Sequence, residues 1–325
     1  MNSIIDSLDS RILVLDGAMG TMIQSYNLDE NDFRGNKFKN HKSPLKGNND
    51  LLSITKPEII KEIHKGYLDA GADIIETNTF SSTSIAMEDY DMQDYVYDLN
   101  FESARIAKEV AKKYSTKKYV AGAIGPTNKT ASMSPDVNDP GFRAITFDEL
   151  VDTYTEQIRG LVDGGCDMLL VETIFDTLNA KAALISISNY FEENKINLPL
   201  MVSGTITDQS GRTLSGQTLN AFLISLSHFP IMSIGLNCAL GADQLTPYLR
   251  RLTDNTEFYV STHPNAGLPN AFGEYDQTPK EMLNQIRVYL KENLINIVGG
   301  CCGTTYDHIR LIAEEAKKYK PRKIK

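Results

Sequence analysis

The chain has 325 residues, a net charge of −9 and 41% hydrophobic residues, which is typical of a folded globular protein and not of a disordered or fibrous one. The acidic excess argues against non-specific nucleic-acid binding, which depends on Lys and Arg contacts to phosphates. The sequence has no apolar run of roughly 18 residues and no signal-peptide pattern at its start. We therefore expect a cytoplasmic protein that binds neither nucleic acid nor membranes.

Eight short apolar runs alternate with amphipathic segments. The runs carry few polar positions, as expected for parallel strands that are covered on both faces. They are Arg11–Gly17, Ala72–Thr77, Tyr119–Gly125, Asp167–Thr173, Leu200–Thr205, Met232–Cys238, Phe258–His263 and Ile295–Gly300. Eight βα units in a chain of this length predict an α/β fold, a single (β/α)₈ TIM-type barrel that forms one domain over residues 1–325. A doubly wound open sheet is the alternative, because the sequence does not show closure.

The segments between the runs have the periodicity of helices, with apolar residues three and four positions apart. One such face carries Ile59, Ile63, Tyr67 and Leu68, and three later segments repeat the pattern. Thr55 and Thr278, each followed by an early Pro, predict capped helix starts, and Gly71 and Gly165 predict helix ends.

Two stretches of the chain resemble each other. Gly66–Thr77 and Gly160–Thr173 each consist of a helix end, a turn and a strand that finishes in Glu-Thr. This repeat favours a fold built from equivalent βα units.

Three segments are longer than a minimal barrel needs: Asp29–Asn49, Pro126–Thr146 and Ile206–Gln217. Because they follow strands, we expect them at the C-terminal face, where barrel enzymes place their active sites.

Three of the four cysteines lie at predicted strand ends. Cys238 ends the sixth run, and Cys301 and Cys302 follow the eighth. A barrel would bring these thiols to one rim, where three thiolates can hold a zinc ion with an open fourth position. Adjacent residues of a strand point to opposite faces, so Cys301 and Cys302 can share an ion only if the strand has ended, and the flanking glycines permit that turn.

Other interpretations of the cysteines stay open. A closed structural zinc site would need a fourth ligand such as His263, and a disulfide between the adjacent Cys301 and Cys302 would be strained. Cys166 aligns with Ala72 in the repeated pattern, and we interpret it as a small core residue.

Two carboxylates lie at predicted strand ends, and the turn at the first of them suits an amino-acid ligand. Asp16 is followed by Gly17 and Ala18 in a turn that lacks the spacing of a phosphate loop. Such a turn offers backbone N–H groups to a carboxylate, while Asp16 offers its charge to an ammonium group. Glu172 is a carboxylate at the predicted barrel rim, where site residues often lie. The alternatives are that Asp16 only stabilises its turn and that Glu172 only anchors a loop.

These motifs resemble a known family. Asp16-Gly-Ala-Met-Gly-Thr, Gly-Leu-Asn237-Cys238 and Gly-Gly-Cys301-Cys302-Gly-Thr are similar to the three signatures of the homocysteine S-methyltransferase family. Further motifs look like the N-terminal homocysteine-binding module of cobalamin-dependent methionine synthase: Lys46-Gly-Asn-Asn-Asp-Leu, Ile75-Glu-Thr-Asn-Thr-Phe80, Gly125-Pro-Thr-Asn, Ser134-Pro-Asp-Val-Asn-Asp-Pro140, Thr213-Leu-Ser-Gly-Gln217 and Ala266-Gly-Leu-Pro-Asn270. The resemblance covers nearly the whole chain.

The resemblance implies a zinc ion held by Cys238, Cys301 and Cys302, with Asn237 or a water in the fourth position until homocysteine arrives. It implies that Glu172, and Asp16 with the backbone of Gly17 and Ala18, hold the amino-acid end of homocysteine. It also implies S-methylation of homocysteine to methionine, with the methyl group donated by methylcobalamin and ultimately by 5-methyltetrahydrofolate.

The sequence contains the barrel but no recognisable cobalamin- or folate-binding module, so we expect these modules to be partners that supply methylcobalamin. The nearest alternative is a cobalamin-independent methyltransferase that uses S-methylmethionine or another sulfonium donor. A second alternative is a non-catalytic module that binds zinc and thiols.

Overall fold

The computed structural model describes residues 3–207 and 210–324. Its eight strands are β1 (Leu13–Val14), β2 (Ile74–Glu76), β3 (Tyr119–Ile124), β4 (Met168–Ile174), β5 (Leu200–Gly204), β6 (Ser233–Gly241), β7 (Tyr259–Asn265) and β8 (Ile297–Val298). Each of the eight predicted apolar runs overlaps one of them, and β4, β6 and β7 extend beyond the predicted ends to Ile174, Gly241 and Asn265.

The helices lie between the strands. They are α1 (Ile4–Ser10), α2 (Met19–Gln24), α3 (Glu30–Arg34), α4 (Leu52–Thr55), α5 (Pro57–Asp69), α6 (Ser84–Met87), α7 (Val96–Ala111), α8 (Phe147–Asp163), α9 (Thr177–Asn194), α10 (Leu219–Leu226), α11 (Ala242–Asp254), α12 (Pro279–Lys291) and α13 (Tyr306–Ala316), with short 3₁₀ turns at Asn49–Leu51, Glu88–Tyr90 and Gln93–Tyr95. No helix within the described ranges has the length and apolarity to cross a bilayer.

All strands are parallel and follow the order β1-β8-β7-β6-β5-β4-β3-β2. A parallel bridge between Leu15 and Ile74 joins the two outer strands of this order. The sheet therefore closes into the predicted (β/α)₈ barrel, and the alternative of an open doubly wound sheet is wrong.

The strands separate the core into an inner and an outer part. In β4, Met168 and Leu170 pack inside the barrel, whereas Leu169 and Val171 pack between the strands and the helices. Because side chains alternate along a strand, Glu172 continues the inward row. At the opposite end, Ile4 and Leu8 of α1 pack with the inner residues and cover the bottom of the barrel.

Helix signals in the sequence are mostly confirmed. Thr278 caps α12 and forms a reciprocal pair with Glu281. The expected cap at Thr55 is wrong, because α5 begins at Pro57 with Lys56 in the capping position, while the Thr55 hydroxyl donates to Leu51 O at the end of the preceding turn.

The two similar stretches have the same local structure. Gly71 and Gly165 both adopt positive φ at helix ends, at 108° and 92°, a conformation that glycine adopts without steric cost. The carboxylates of Asp73 and Asp167 then accept from the backbone N–H of the preceding strand, at Val14 and Val120. Each unit thus ends with an inward-facing Glu at the top of its strand.

Two of the three long segments help to form the cavity at the C-terminal face, through Gly47–Asn49 and Pro126–Asn128. The third, Ile206–Gln217, includes positions 208 and 209, which lie outside the described residues, and none of its described residues lines that cavity.

Candidate active site

A cavity of about 1040 Å³ occupies the C-terminal mouth of the barrel. Its lining includes residues that end or follow seven of the eight strands, namely β1, β2, β3, β4, β6, β7 and β8. The chemically active lining residues are Asp16, Glu76, Glu172, Cys238, His263, Cys301 and Cys302. Seven strands thus contribute to one site, as expected at the top of a barrel.

Three thiols form a cluster in this cavity. Cys238 Sγ lies 3.8 Å from Cys302 Sγ, and Cys301 Sγ lies 4.0 Å from Cys302 Sγ. All three sulfurs lie within 4.8 Å of one another. Zn–S bonds of about 2.3 Å in a tetrahedral site place sulfurs about 3.8 Å apart, so the donor set and its spacing fit a zinc ion. Cys166 is buried two residues before β4 and takes no part in this cluster.

Local backbone conformation aims these thiols at one point. Cys238 and Ala239 have positive φ values of 59° and 53°, and the pairing of β6 with β7 shifts register between Asn237 and Gly241. Such irregularities re-aim side chains beside active sites. After β8, Gly300 leaves no room for a side chain, because a Cβ there would lie 2.4 Å from Thr304 Cγ2. This close packing ends the strand, and Cys301 and Cys302 can then face the same site.

The thiols influence one another electrostatically. Hydrogen bonds from Cys238 and Cys301 lower the pKa of Cys302 to about 3, whereas the contacts of Cys301 with Cys238 and Cys302, together with burial, raise the pKa of Cys301 well above its usual range. Three thiolates so close together repel each other, so without a cation the full ionisation of the cluster is unfavourable. A bound cation would allow all three to ionise.

A group of carboxylates lies in the same cavity. Asp16 and Glu172 are both nearly inaccessible to solvent, and Glu76 belongs with them. Burial raises the pKa of Asp16 and of Glu76 well above their usual ranges, and the charge of Glu172 adds to both shifts. A cationic ligand such as an ammonium group would stabilise their ionised forms.

The turn after β1 is tightly packed. A Cβ on Gly17 would lie 2.7 Å from Thr304 Oγ1 and 2.9 Å from Tyr67 Cε1, so glycine is required there. The backbone N–H of Ala18 donates to Thr304 Oγ1 at 3.1 Å. Both residues line the cavity, but the Ala18 N–H already has a protein partner, and their contact with a substrate stays a prediction.

Asn237 is fully buried, and its amide bonds to strands β4 and β5. Its Oδ1 accepts from Thr173 N at 3.0 Å and Ser203 Oγ at 2.7 Å, and its Nδ2 donates to Thr173 Oγ1 at 2.8 Å. This amide supports the β6 irregularity that carries Cys238. A direct contact of Asn237 with a ligand stays a prediction.

Two residues of the site fall outside the set predicted from the sequence: Glu76 had no predicted role, and His263 was expected only as an alternative fourth zinc ligand. The repeated pattern contained the signal for Glu76, since it aligns the Glu-Thr at the end of β2 with Glu172-Thr173. His263 lies on the inward row of β7, and its Nε2 lies 3.7 Å from Glu172 Oε2.

The model of the family described as homocysteine S-methyltransferase matches residues 13–316. The chain belongs to this family. The solved structure of the homocysteine methyltransferase MmuM from Escherichia coli in its metallated form is similar, with a TM-score of 0.72, 21% identity and coverage of 96% of this chain and 98% of that chain.

The oxidized form of the same Escherichia coli protein has a TM-score of 0.70 and 19% identity, and covers 94% of this chain and 96% of that chain. The apo form has a TM-score of 0.68 and 20% identity, with coverage of 96% and 98%. These likenesses show that the chain shares the fold of MmuM over at least 94% of its length.

Proposed function

We propose that this chain activates homocysteine as a zinc-bound thiolate and methylates it to methionine, with the methyl group delivered as methylcobalamin by a separate module or subunit. The observation that carries this proposal is the three-thiol cluster beside the buried carboxylates in one cavity. Family membership supports homocysteine as the methyl acceptor.

Cys238, Cys301 and Cys302 would hold the zinc ion, which is consistent with their sulfur spacing. A free thiol has a pKa near 8.5 and is mostly protonated at neutral pH, and coordination to Zn²⁺ keeps it deprotonated and nucleophilic. The three protein thiolates leave one tetrahedral position for the substrate sulfur.

Asp16 and Glu172 would bind the substrate ammonium group, and the turn at Gly17 and Ala18 would contact its carboxylate. Neither acid forms an ion pair with a lysine or arginine within the described residues, so the substrate would supply the cation. Because Thr304 occupies the Ala18 N–H, Ala18 would contribute only if Thr304 yields that bond. Binding the amino-acid end in this way would orient the sulfur towards the thiol cluster.

The choice of methylcobalamin as donor has support from the cavity wall. Three of the motifs similar to methionine synthase contribute to that wall, through Gly47–Asp50, Glu76–Phe80 and Pro126–Asn128. These segments border the open mouth, where a methyl donor must approach the thiolate.

The extent of the match to MmuM favours a second candidate. That homocysteine methyltransferase is matched over 98% of its length, so a barrel of this size alone makes up nearly the whole of a related protein. A cobalamin-independent enzyme that uses S-methylmethionine or another sulfonium donor would have this organisation.

A direct assay separates the candidates. The zinc-loaded chain should be given homocysteine with methylcobalamin or with S-methylmethionine, and methionine should be quantified alongside bound zinc. Methionine from methylcobalamin supports the proposal, and faster turnover with S-methylmethionine supports the second candidate. No methionine from either donor would favour a non-catalytic zinc- and thiol-binding module.

A further inference from the structure

A second group of metal-binding side chains lies in the cavity beside the cysteines. Glu76 at the end of β2, Glu172 in β4 and His263 in β7 each place one ligand atom within 4.8 Å of the other two. The three residues come from three different strands, so the barrel itself holds them together.

His263 supplies the observation that points to a ligand. Its side chain is 2% exposed, and neither ring nitrogen has a hydrogen-bond partner within the described structure. A buried imidazole without partners is costly. Its Nε2 points towards Glu172 at 3.7 Å, which is longer than a hydrogen bond and leaves space for a shared atom.

The charges of the group point to a cation. Glu76 and Glu172 pair with no lysine or arginine in the described part of the chain, and Asp16 lies close enough to add a third carboxyl group, with its Oδ2 accepting from Glu76 N at 3.0 Å. Buried carboxylates of this kind are usually paired or coordinate a metal.

We propose that Glu76, Glu172 and His263 form a second cation site, which binds a divalent transition metal through oxygen and nitrogen when no amino acid occupies the cavity. Two carboxylates and an imidazole suit Mn²⁺ or Fe²⁺, whereas the three thiols suit the softer Zn²⁺. The ammonium group of homocysteine would occupy the same negative region, so this metal and the substrate would compete. The competition rests on the proposed function, but the metal binding itself does not.

Mn²⁺ is a suitable probe because it prefers carboxylate and imidazole over thiolate ligands. The full chain, saturated with one equivalent of Zn²⁺, should be titrated with Mn²⁺ and followed by the loss of the free Mn²⁺ signal in electron paramagnetic resonance. We expect one tight site per chain. The absence of a specific site at millimolar Mn²⁺ would overturn the proposal without the use of any variant.

Three variants locate the site. Glu76→Gln and His263→Asn should each weaken Mn²⁺ binding by at least about tenfold, since loss of supporting groups alone often costs that much. Glu274→Gln removes the same charge from an exposed residue of the same cavity and should leave Mn²⁺ affinity unchanged. Equal weakening in all three variants would indicate general attraction to an acidic surface and would contradict the assignment.

Homocysteine should then raise the apparent dissociation constant for Mn²⁺ in the wild-type chain. If Mn²⁺ binds as expected but homocysteine has no effect, the metal site stands and the placement of the substrate ammonium at Glu172 is wrong. If homocysteine binds but Mn²⁺ does not, the proposed function stands and the second cation site is wrong.

Discussion

The side-chain amide of Asn237 donates to Thr173 Oγ1 at 2.8 Å and ties the irregular end of β6 to that of β4. Both strands leave regular geometry here, since Thr173 and Cys238 have positive φ values of 54° and 59°. Glu172 and Cys238, which are proposed to hold opposite ends of the substrate, lie directly beside this link. The relative position of the two ends therefore depends on one buried amide.

The variant Asn237→Ala should lower the free energy of unfolding and weaken zinc binding. It leaves Thr173 N and Ser203 Oγ without their acceptor, and a buried group left unsatisfied costs about 1–3 kcal/mol. Urea unfolding of the metal-free protein and chelator competition measure the two effects. Asn128→Ala, at an exposed amide that bonds only to Asp89 in the described structure, should change neither by much, and equal effects in both variants would refute this role.

Zinc content should depend on three cysteines and not on the fourth. Replacing Cys238, Cys301 or Cys302 by Ala should sharply lower the bound zinc, because each removes one thiolate of the cluster. Cys166→Ala is the matched control, since Cys166 is a free thiol buried elsewhere. Elemental analysis after dialysis measures the metal. Full retention of zinc in Cys302→Ala would rule out the three-thiolate site.

Glu172→Gln should weaken homocysteine binding while zinc content stays constant. The substitution keeps the size of the side chain but removes the charge that would face the ammonium group, and a hydrogen bond to a charged group is worth roughly 1.5–3 kcal/mol. Calorimetry should show a loss of affinity of about one to two decades. Glu274→Gln, at an exposed rim position, should bind homocysteine like the wild type. Unchanged affinity in Glu172→Gln would leave this residue a structural role.

Gly300→Ala should destabilise the chain and reduce its zinc content. An added Cβ would lie 2.4 Å from Thr304 Cγ2 and 2.6 Å from Thr304 Oγ1, so the turn that presents Cys301 must shift. Overpacking of this kind costs about 1–3 kcal/mol, and thermal unfolding together with metal analysis would detect it. In Gly20→Ala the new methyl group has only Asn49 Nδ2 nearby, at 3.8 Å, and we expect no loss of zinc there.

His64 should make folding less favourable in mild acid. It is buried in α5 and has no partner in the described structure, and burial lowers its pKa to about 4 from 6.5. Between these values the unfolded chain binds a proton that the folded chain does not, so stability is lost as pH falls through this window.

His64→Leu should abolish this contribution. Relative to the variant, the wild type should lose about 2 kcal/mol of unfolding free energy between about pH 7.5 and pH 5. Urea unfolding at the two pH values measures the difference. His228→Leu removes an exposed histidine and should retain the pH dependence of the wild type. A parallel pH dependence in His64→Leu and wild type would show that His64 titrates normally.

The barrel could be predicted from the sequence because its strands are buried on both faces. They therefore appear in the sequence as apolar runs between amphipathic helical segments. The thiol cluster could be placed for the same reason, since the ends of parallel strands converge. Thr55 shows the limit of local signals. Its hydroxyl donates to Leu51 O in the preceding turn, so Lys56 occupies the capping position of α5 instead.

The remaining site residues depend on long-range geometry. Nothing near Asn237 in the sequence shows that its amide spans to Thr173 and Ser203, because that contact exists only after β4, β5 and β6 align. His263 was similarly ambiguous, since the sequence around a histidine at a strand end does not show which side chains of other strands lie near it. Glu76 could have been found, because the repeated pattern aligns it with Glu172.

The closure of the barrel has a consequence for its acid groups. Asp16 follows β1 and Glu76 ends β2, on the two sides of the seam where the bridge at Leu15 and Ile74 joins the strands. The carboxylate of Asp16 accepts from Glu76 N at 3.0 Å. A side chain thus provides the hydrogen bond that a further pair of backbone groups would make in a longer strand. A cation that binds Asp16 would therefore compete with the hydrogen bond from Glu76 N. We therefore expect ligand binding to change the strength of the contact between β1 and β2. Hydrogen exchange of the Glu76 amide, measured with and without ligand, would detect this change.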